Sequence, residues 1–317
     1  MTDSDLLSRL TLMRLAEPGS LLISQLVQNL GAVATVEAIR SGTLKELHAA
    51  AEDDDAGELT RQLPDWQKRL EKADPVADLE AGQKSGARFL TPAAAEWPTC
   101  LDDLGTVQPL GLAQPLGLWA RGPVDLRAAC QRAVTIAGSQ AGTPYGVHVA
   151  TRLASGVGEA GYTVVSELTP EIGAAAHRGA LGELGATVAV LPSGIDMRYP
   201  QGHHYLFDVI ADQGVLISEC PPGTISTWWR TWARHRITAA LGQATVIVEA
   251  TWDGGTMAIA NRAEMLRRPL GAVPGPIASG RSQPCNWLIR DRRAVLIHNP
   301  EHVIALAALD ADPQEHA

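Results

Sequence analysis

The chain has 317 residues, a net charge of −9, 45% hydrophobic and 19% charged residues, which excludes a disordered chain and supports a large core in one to three domains. The longest apolar runs, such as Ala186–Leu191, fall short of the roughly 20 residues a membrane helix needs, and Met1-Thr2-Asp3-Ser4-Asp5 is acidic where a secretory signal is basic; a cytoplasmic location without membrane contact is expected. The acidic balance counts against sequence-independent duplex binding, so any nucleic-acid role needs a local basic patch.

Residues 1–80 read as a helical N-terminal domain and linker. Leu6, Leu7, Leu10 and Leu12 open it. After the turn Glu17-Pro18-Gly19-Ser20 a second apolar stripe covers Leu21 to Leu30 and breaks at Gly31. Glu46 to Gln83 reads as exposed helix plus linker, and Asp53-Asp54-Asp55 as a solvated face instead of a metal site. Residues 81–131 form an extended transition segment packing on the main domain. Phe89-Leu90-Thr91-Pro92 and Trp97-Pro98 look extended, and Pro115 to Pro123 contains a short strand ending in a turn.

From residue 132 to 305 the pattern becomes regular, with 306–317 left as a tail. Short apolar runs fall at Ala133–Ala137, Tyr162–Ser166, Ala186–Leu191, Val215–Ser218, Thr245–Ala250, Leu270–Val273 and Ala294–Ile297. Helical patterns lie between them: Tyr145–Glu159, Glu171–Leu184, His204–Asp212, Ala233–Leu241 and Met257–Leu266. Continuous apolar strands alternating with helices predict an α/β fold with a doubly wound, mainly parallel sheet covered on both faces.

Ligands of such sheets bind beyond the carboxyl ends of the strands. Those ends here carry Gly138-Ser139-Gln140, Ser166-Glu167, Ser193-Gly194-Ile195-Asp196, Ser218 to Gly223, Asp253-Gly254-Gly255-Thr256 and Pro274-Gly275-Pro276. Glycine lets backbone N–H groups approach an anion, and a following helix N-terminus adds partial positive charge, so the shared edge points to a phosphate-bearing ligand. Neither a GxxxxGK[ST] nor a GxGxxG after the first strand occurs, which argues against a P-loop or a conventional dinucleotide site.

The segment Thr227 to Arg236 packs Trp228, Trp229 and Trp232 with Arg230, Arg234 and Arg236. Tryptophan faces stack on bases and arginines pair with phosphates; the alternative is that some of these tryptophans plug the core. Catalytic constellations are poor. His177 reads as a structural or ligand-contact histidine instead of a base, His203-His204 lacks a partner at metal spacing, and Glu249 could orient a loop by accepting backbone N–H bonds. Cys100, Cys130, Cys220 and Cys285 are widely spaced and read as buried free thiols.

These motifs resemble a known series. Residues 132–300 resemble the bacterial DNA-processing protein A family (DprA/Smf) through Ile136-Ala137-Gly138-Ser139, Tyr145-Gly146, Val164-Val165-Ser166 and Ala175-Ala176-His177-Arg178-Gly179. The series continues in Leu191-Pro192-Ser193-Gly194-Ile195-Asp196, Ser218-Glu219-Cys220-Pro221-Pro222-Gly223, Arg234-His235-Arg236-Ile237, Val248-Glu249-Ala250, Val273-Pro274-Gly275 and Asn286-Trp287-Leu288-Ile289-Arg290-Asp291. The resemblance implies an extended Rossmann-like domain, single-stranded DNA as ligand, loading of the RecA recombinase in natural transformation, a homodimer, and no enzymatic activity or cofactor. The implied nucleic-acid and phosphate contacts are Gly138, Ser139, Gln140, Ser166, His177, Ser193, Gly194, Arg230, Arg234, Arg236, Gly255 and Thr256, with Trp228, Trp229 and Trp232 as candidates for base stacking; no catalytic residue or metal ligand is assigned.

The departures matter. Gln140 stands where the family places an arginine on DNA phosphate, and Glu167 and Glu171 fall in a segment that elsewhere carries an arginine. Two charge-assisted contacts of about 1.5–3 kcal/mol each correspond to a factor of about 10² or more in affinity. The winged-helix tail of many members is expected to be absent. An alternative is therefore a divergent member that binds a nucleotide or nucleotide-derived signal. Asp253-Gly254-Gly255-Thr256 also resembles a nucleotide phosphoribohydrolase motif, but Ile259 occupies the place of that motif's catalytic glutamate.

Overall fold

The computed structural model describes residues 3–51, 55–105, 113–182 and 185–309. Met1, Thr2, Asp53, Asp54, residues 183–184 at the end of the helix expected over Glu171–Leu184, and the tail from 310 onward lie outside the described residues.

Six helices come first: α1 (Asp3–Leu15), α2 (Leu21–Leu30), α3 (Ala32–Ser41), α4 (Leu44–Ala50), α5 (Ala56–Leu70) and α6 (Pro75–Lys84). The proline–glycine turn ends α1, and the Ser20 hydroxyl then accepts from the Ile23 N–H to cap α2. Gly42, with φ at 67°, closes α3 in the left-handed conformation that favours glycine. Leu12, Leu15, Ile23, Leu26, Ile39, Leu47 and Leu59 give these helices a core of their own.

Strands β1 (Ala87–Leu90) and β2 (Leu118–Arg121) follow, then α7 (Leu126–Cys130) and β3 (Ala133–Ala137). The remaining elements alternate: α8 (Pro144–Glu159), β4 (Thr163–Glu167), α9 (Ile172–Gly182), β5 (Thr187–Leu191), α10 (His204–Gln213), β6 (Val215–Ser218), α11 (Trp228–Leu241), β7 (Ala244–Ile247), α12 (Gly255–Met265), β8 (Leu270–Ala272), α13 (Gln283–Arg290), β9 (Val295–Leu296) and α14 (Pro300–Ala308). The strand order is β1-β2-β6-β5-β4-β3-β7-β8-β9. Strands β3 to β9 run parallel, while β1 and β2 add an antiparallel edge on β6. The chain winds from β3 outward to β6, then returns to the other side of β3 through β7. The fold is α/β and doubly wound, and its order reverses between β3 and β7.

Alternation along the buried strands sends side chains to both faces. Val134 and Ile136 join α8, α9 and α14 on one face, whereas Ala133 and Ala137 join α11, α12 and α13 on the other. A third cluster brings Leu10 and Met13 of α1 against Trp119, Leu216 and Phe207, which seats the helical N-terminus on the β2–β6 side of the sheet. No single helix among the described residues is long and apolar enough to cross a membrane. All four cysteines carry free thiols. The apolar periodicity locates the parallel strands to within a few residues. It leaves α13 and α14 unassigned and starts α11 at Ala233, five residues late, because tryptophan and arginine on the first turns mask the helical period.

The contact between α6 and the sheet is close. Gly82 lies against the Trp119 ring so tightly that a Cβ would overlap it, and Trp119 is fully buried. Gly82→Ala should therefore lower the unfolding free energy by about 1–3 kcal/mol through overpacking, read as a shifted midpoint at unchanged m in urea unfolding.

Candidate nucleic-acid interface

The switch point between β3 and β7 is where this fold would place a ligand. A carboxylate already sits there. Glu249 is buried; its Oε2 accepts from the Thr143 N–H at 2.8 Å and its Oε1 from the Thr143 hydroxyl at 2.7 Å. Thr143 also caps α8, accepting from the Gly146 N–H. Gly146 is needed because a Cβ there would overlap the Glu249 carboxylate, and Gly138 and Gly142 make room for Ile172. The Ser139 N–H donates to the Glu249 carbonyl at 2.8 Å, while Gln140 is exposed. A side chain of the protein thus occupies the positive end of the helix that was expected to face a phosphate.

The third loop repeats the device. Asp196 accepts the Gly223 N–H on both carboxylate oxygens, at 2.8 and 3.0 Å, and the Gly194 N–H donates to the Thr224 carbonyl. Ser193 is buried, as is Ser166, whose hydroxyl donates to the Ile136 carbonyl at 2.7 Å. Gly255 is partly exposed but packs against the His235 ring, and Thr256 is buried.

The arginines are redirected as well. Arg236 is 0% exposed; it pairs with Glu219 at 2.7 Å and donates to the carbonyls of Ala113 and Ala233. Buried Arg234 lies 3.0 Å from Glu167 and donates to the Val190 carbonyl. Arg230 donates to both oxygens of Glu17 at 2.9 Å and to the Ile225 carbonyl. Each arginine of the segment thus has its own carboxylate. Of the expected phosphate contacts, Ser139, Ser166, His177, Ser193, Arg234, Arg236 and Thr256 are buried. Glu167 is buried and balances Arg234. A helix explains the divergence. At about 100° per residue, Arg236 points well away from Arg230 and Arg234, whereas a loop would have let all three face one groove.

What the helix brings together is aromatic. Thr227 caps α11, accepting from the Arg230 N–H. Trp228 and Trp232 are one turn apart and stack, with centroids 6.4 Å apart and planes 13° from parallel. Trp229 packs against Trp232 at 5.1 Å, and the Arg262 guanidinium lies 4.2 Å from the Trp232 ring centroid. Trp228 is 76% exposed and Trp229 is 37% exposed. Near the ends of β3, β7 and β8, Tyr145 and Trp252 are exposed too; the Tyr145 hydroxyl donates to the Pro274 carbonyl. Trp252 does not stand out in sequence, because it is a single aromatic within a glycine-rich loop. Buried Ile259 leaves the phosphoribohydrolase-like motif without its carboxylate.

The family described as DNA recombination-mediator protein A matches residues 88–308. The chain belongs to that family. It is 37% identical over 284 residues to the putative DNA processing protein DprA of Mycobacterium tuberculosis, covering 88% of this chain and 69% of the relative. The protein Smf of Escherichia coli is 30% identical over 181 residues, covering 57% of this chain and 48% of the relative. The X-ray structure of Streptococcus pneumoniae DprA shares the fold at a TM-score of 0.74 and 23% identity, covering 96% of this chain and 98% of that one. DprA of Helicobacter pylori, which binds single-stranded DNA, shares it at 0.61 and 24% identity, over 71% of this chain and 98% of that one. The matching region includes β3 to β9, α11 and its tryptophans, whereas α1 to α6 precede it.

Two outcomes follow from the buried polar groups. Arg236→Ala leaves Glu219 buried without its partner and should cost about 3–5 kcal/mol of stability in urea unfolding. Burial holds His177 down to about 3 and, despite Glu167 at 3.5 Å, His235 down to about 4. Both imidazoles are neutral when folded and take up protons when unfolded, so their contribution is present above the ordinary value of 6.5 and is lost as pH falls toward 4. Stability should drop by up to about 1.4 kcal/mol per pH unit per histidine over that window, and His177→Gln should flatten the slope. A pH-independent unfolding free energy between 6.5 and 4 would contradict the assignment.

Proposed function

We propose that the chain is a non-enzymatic, single-stranded-DNA-binding recombination mediator whose bases stack on Trp228, Trp229 and Trp232. The carrying observation is the tryptophan cluster at the start of α11, where exposed Trp228 stacks on Trp232 beside exposed Trp229. Family membership supports it, as does the single-stranded DNA bound by the Helicobacter pylori relative. The reading includes delivery of the strand to a RecA-type recombinase by a homodimer, which the family resemblance implies. Stacking carries more of the affinity than in a basic groove, because Arg234 and Arg236 are spent on Glu167 and Glu219 and Gln140 is uncharged.

A second reading is a nucleotide ligand with weakened DNA binding. It is favoured by Gln140, exposed and uncharged after β3 where the family places an arginine. Fluorescence anisotropy with a labelled oligothymidine separates the two. Trp228→Ala should weaken binding by about 5–150-fold, corresponding to about 1–3 kcal/mol for one stacked base, with a shallower salt dependence than a phosphate-dominated binder. No affinity at low salt, or no response to Trp228→Ala together with Trp229→Ala, would reject DNA as the ligand.

A further inference from the structure

The turn after α1 and the first turn of α11 enclose two adjoining hollows. The smaller, about 240 Å³, is lined by Arg14, Arg69 and Arg230 with Glu17 as its one carboxylate, against the loop Cys220-Pro221 after β6. The larger, about 450 Å³, adds Trp229, Arg61 and Asp65, and both share Ala16, Glu17 and Arg69. A basic end beside an indole is unusual on a chain of net charge −9.

Two of the three guanidiniums are held by carboxylates, Arg14 by Asp78 from outside the smaller hollow and Arg230 by Glu17 of its own lining. Arg14 is paired with Asp78 and its Nη2 donates to the Pro222 carbonyl at 2.9 Å. Arg230 is gripped by Glu17 through Nε and Nη2 and by Ile225 through Nη1. Arg69 donates from Nη1 to the Leu15 carbonyl at 2.7 Å, and no carboxylate pairs with it among the described residues. Nη1 of Arg14 and Nε and Nη2 of Arg69 are left with donors to offer. Spare guanidinium donors beside one another suit the tetrahedral oxygens of a phosphate, and Arg69 is the one of the three whose charge no carboxylate balances among the described residues. Together the hollows fall in the range of about 300–1,000 Å³ typical of small-ligand clefts.

We propose that this cleft between the helical N-terminus and the sheet is a nucleotide site, with the phosphate on the spare donors of Arg14 and Arg69 and the base against Trp229. It is separate from the switch point, where Glu249 fills the anion position, and its ligand bridges α1 and α5 to α11. The phosphate could belong to a bound DNA strand or to a free nucleotide, and the test distinguishes them.

Calorimetry on the full chain uses 5′-dAMP, deoxyadenosine, inorganic phosphate and a short oligothymidine. 5′-dAMP should bind more tightly than deoxyadenosine or phosphate alone. Arg69→Ala, an exposed position whose melting temperature reports an intact fold, should weaken 5′-dAMP by about tenfold or more. Arg69→Lys, which keeps the charge without the fork, should fall between. Trp229→Ala should weaken 5′-dAMP by about fivefold or more and leave phosphate unchanged. Oligothymidine affinity that falls with Arg69→Ala assigns the phosphate to a bound strand; affinity that does not fall assigns it to a free nucleotide. The proposal is overturned if wild type binds neither 5′-dAMP nor phosphate, or if folded Arg69→Ala binds 5′-dAMP as wild type does. Loss of oligothymidine binding alone would instead count against the stacking surface on Trp228.

Discussion

Two guanidinium–carboxylate pairs inside the fold govern what α11 shows to solvent. Arg234 meets Glu167 from the end of β4, and Arg236 meets Glu219 from the end of β6. Both pairs are buried, so the helix cannot turn or slide without stranding a charge in the interior. Ahead of the buried stretch Ala233–Leu241, the first turn carries Trp228 and Trp229 outward, while Arg230 is half-buried against Glu17. The exposed aromatics lie on the turn that projects, and the buried arginines on the turns that the fold encloses.

The same economy of charge recurs along the strand ends. Glu249 satisfies the start of α8, and Asp196 satisfies the Gly223 N–H. Loops that would hold an anion by glycine and helix dipole are closed by acids of the chain itself. Glu167, an acidic departure from the family pattern, is balanced by Arg234, and therefore adds no net repulsion at the surface. The result is a strand-end face that offers π surface and few free cations. Uncommitted arginine donors are found instead toward α1 and α5, beside Trp229.

Much of the fold was legible. Seven apolar runs with helices between them are enough for a doubly wound sheet, because strands buried on both faces must be continuously apolar. The motif series from Gly138-Ser139 to Asp291 was enough for the family. The tryptophans were legible as a concentration of aromatic residues but not as a stacked pair. That needed the helix to begin at Trp228, which sets Trp228 and Trp232 one turn apart. The cleft with Arg14 and Arg69 was not legible at all, since its walls come from α1 and α5 near the start of the chain and from α11 far along it.

By itself, then, the sequence determined the α/β architecture, the family and the edge of the sheet that carries glycine, hydroxyl and aromatic groups. Those properties follow from local periodicity and composition, which the chain carries wherever it folds. Only the tertiary structure decided which arginines are free, because whether a guanidinium faces solvent or a buried carboxylate depends on how deeply its turn is enclosed and on partners far away in the chain. Trp228, 76% exposed, and Arg236, 0% exposed against Glu219, lie on the same helix and differ because its first turn projects from the fold while every residue from Ala233 to Leu241 is buried.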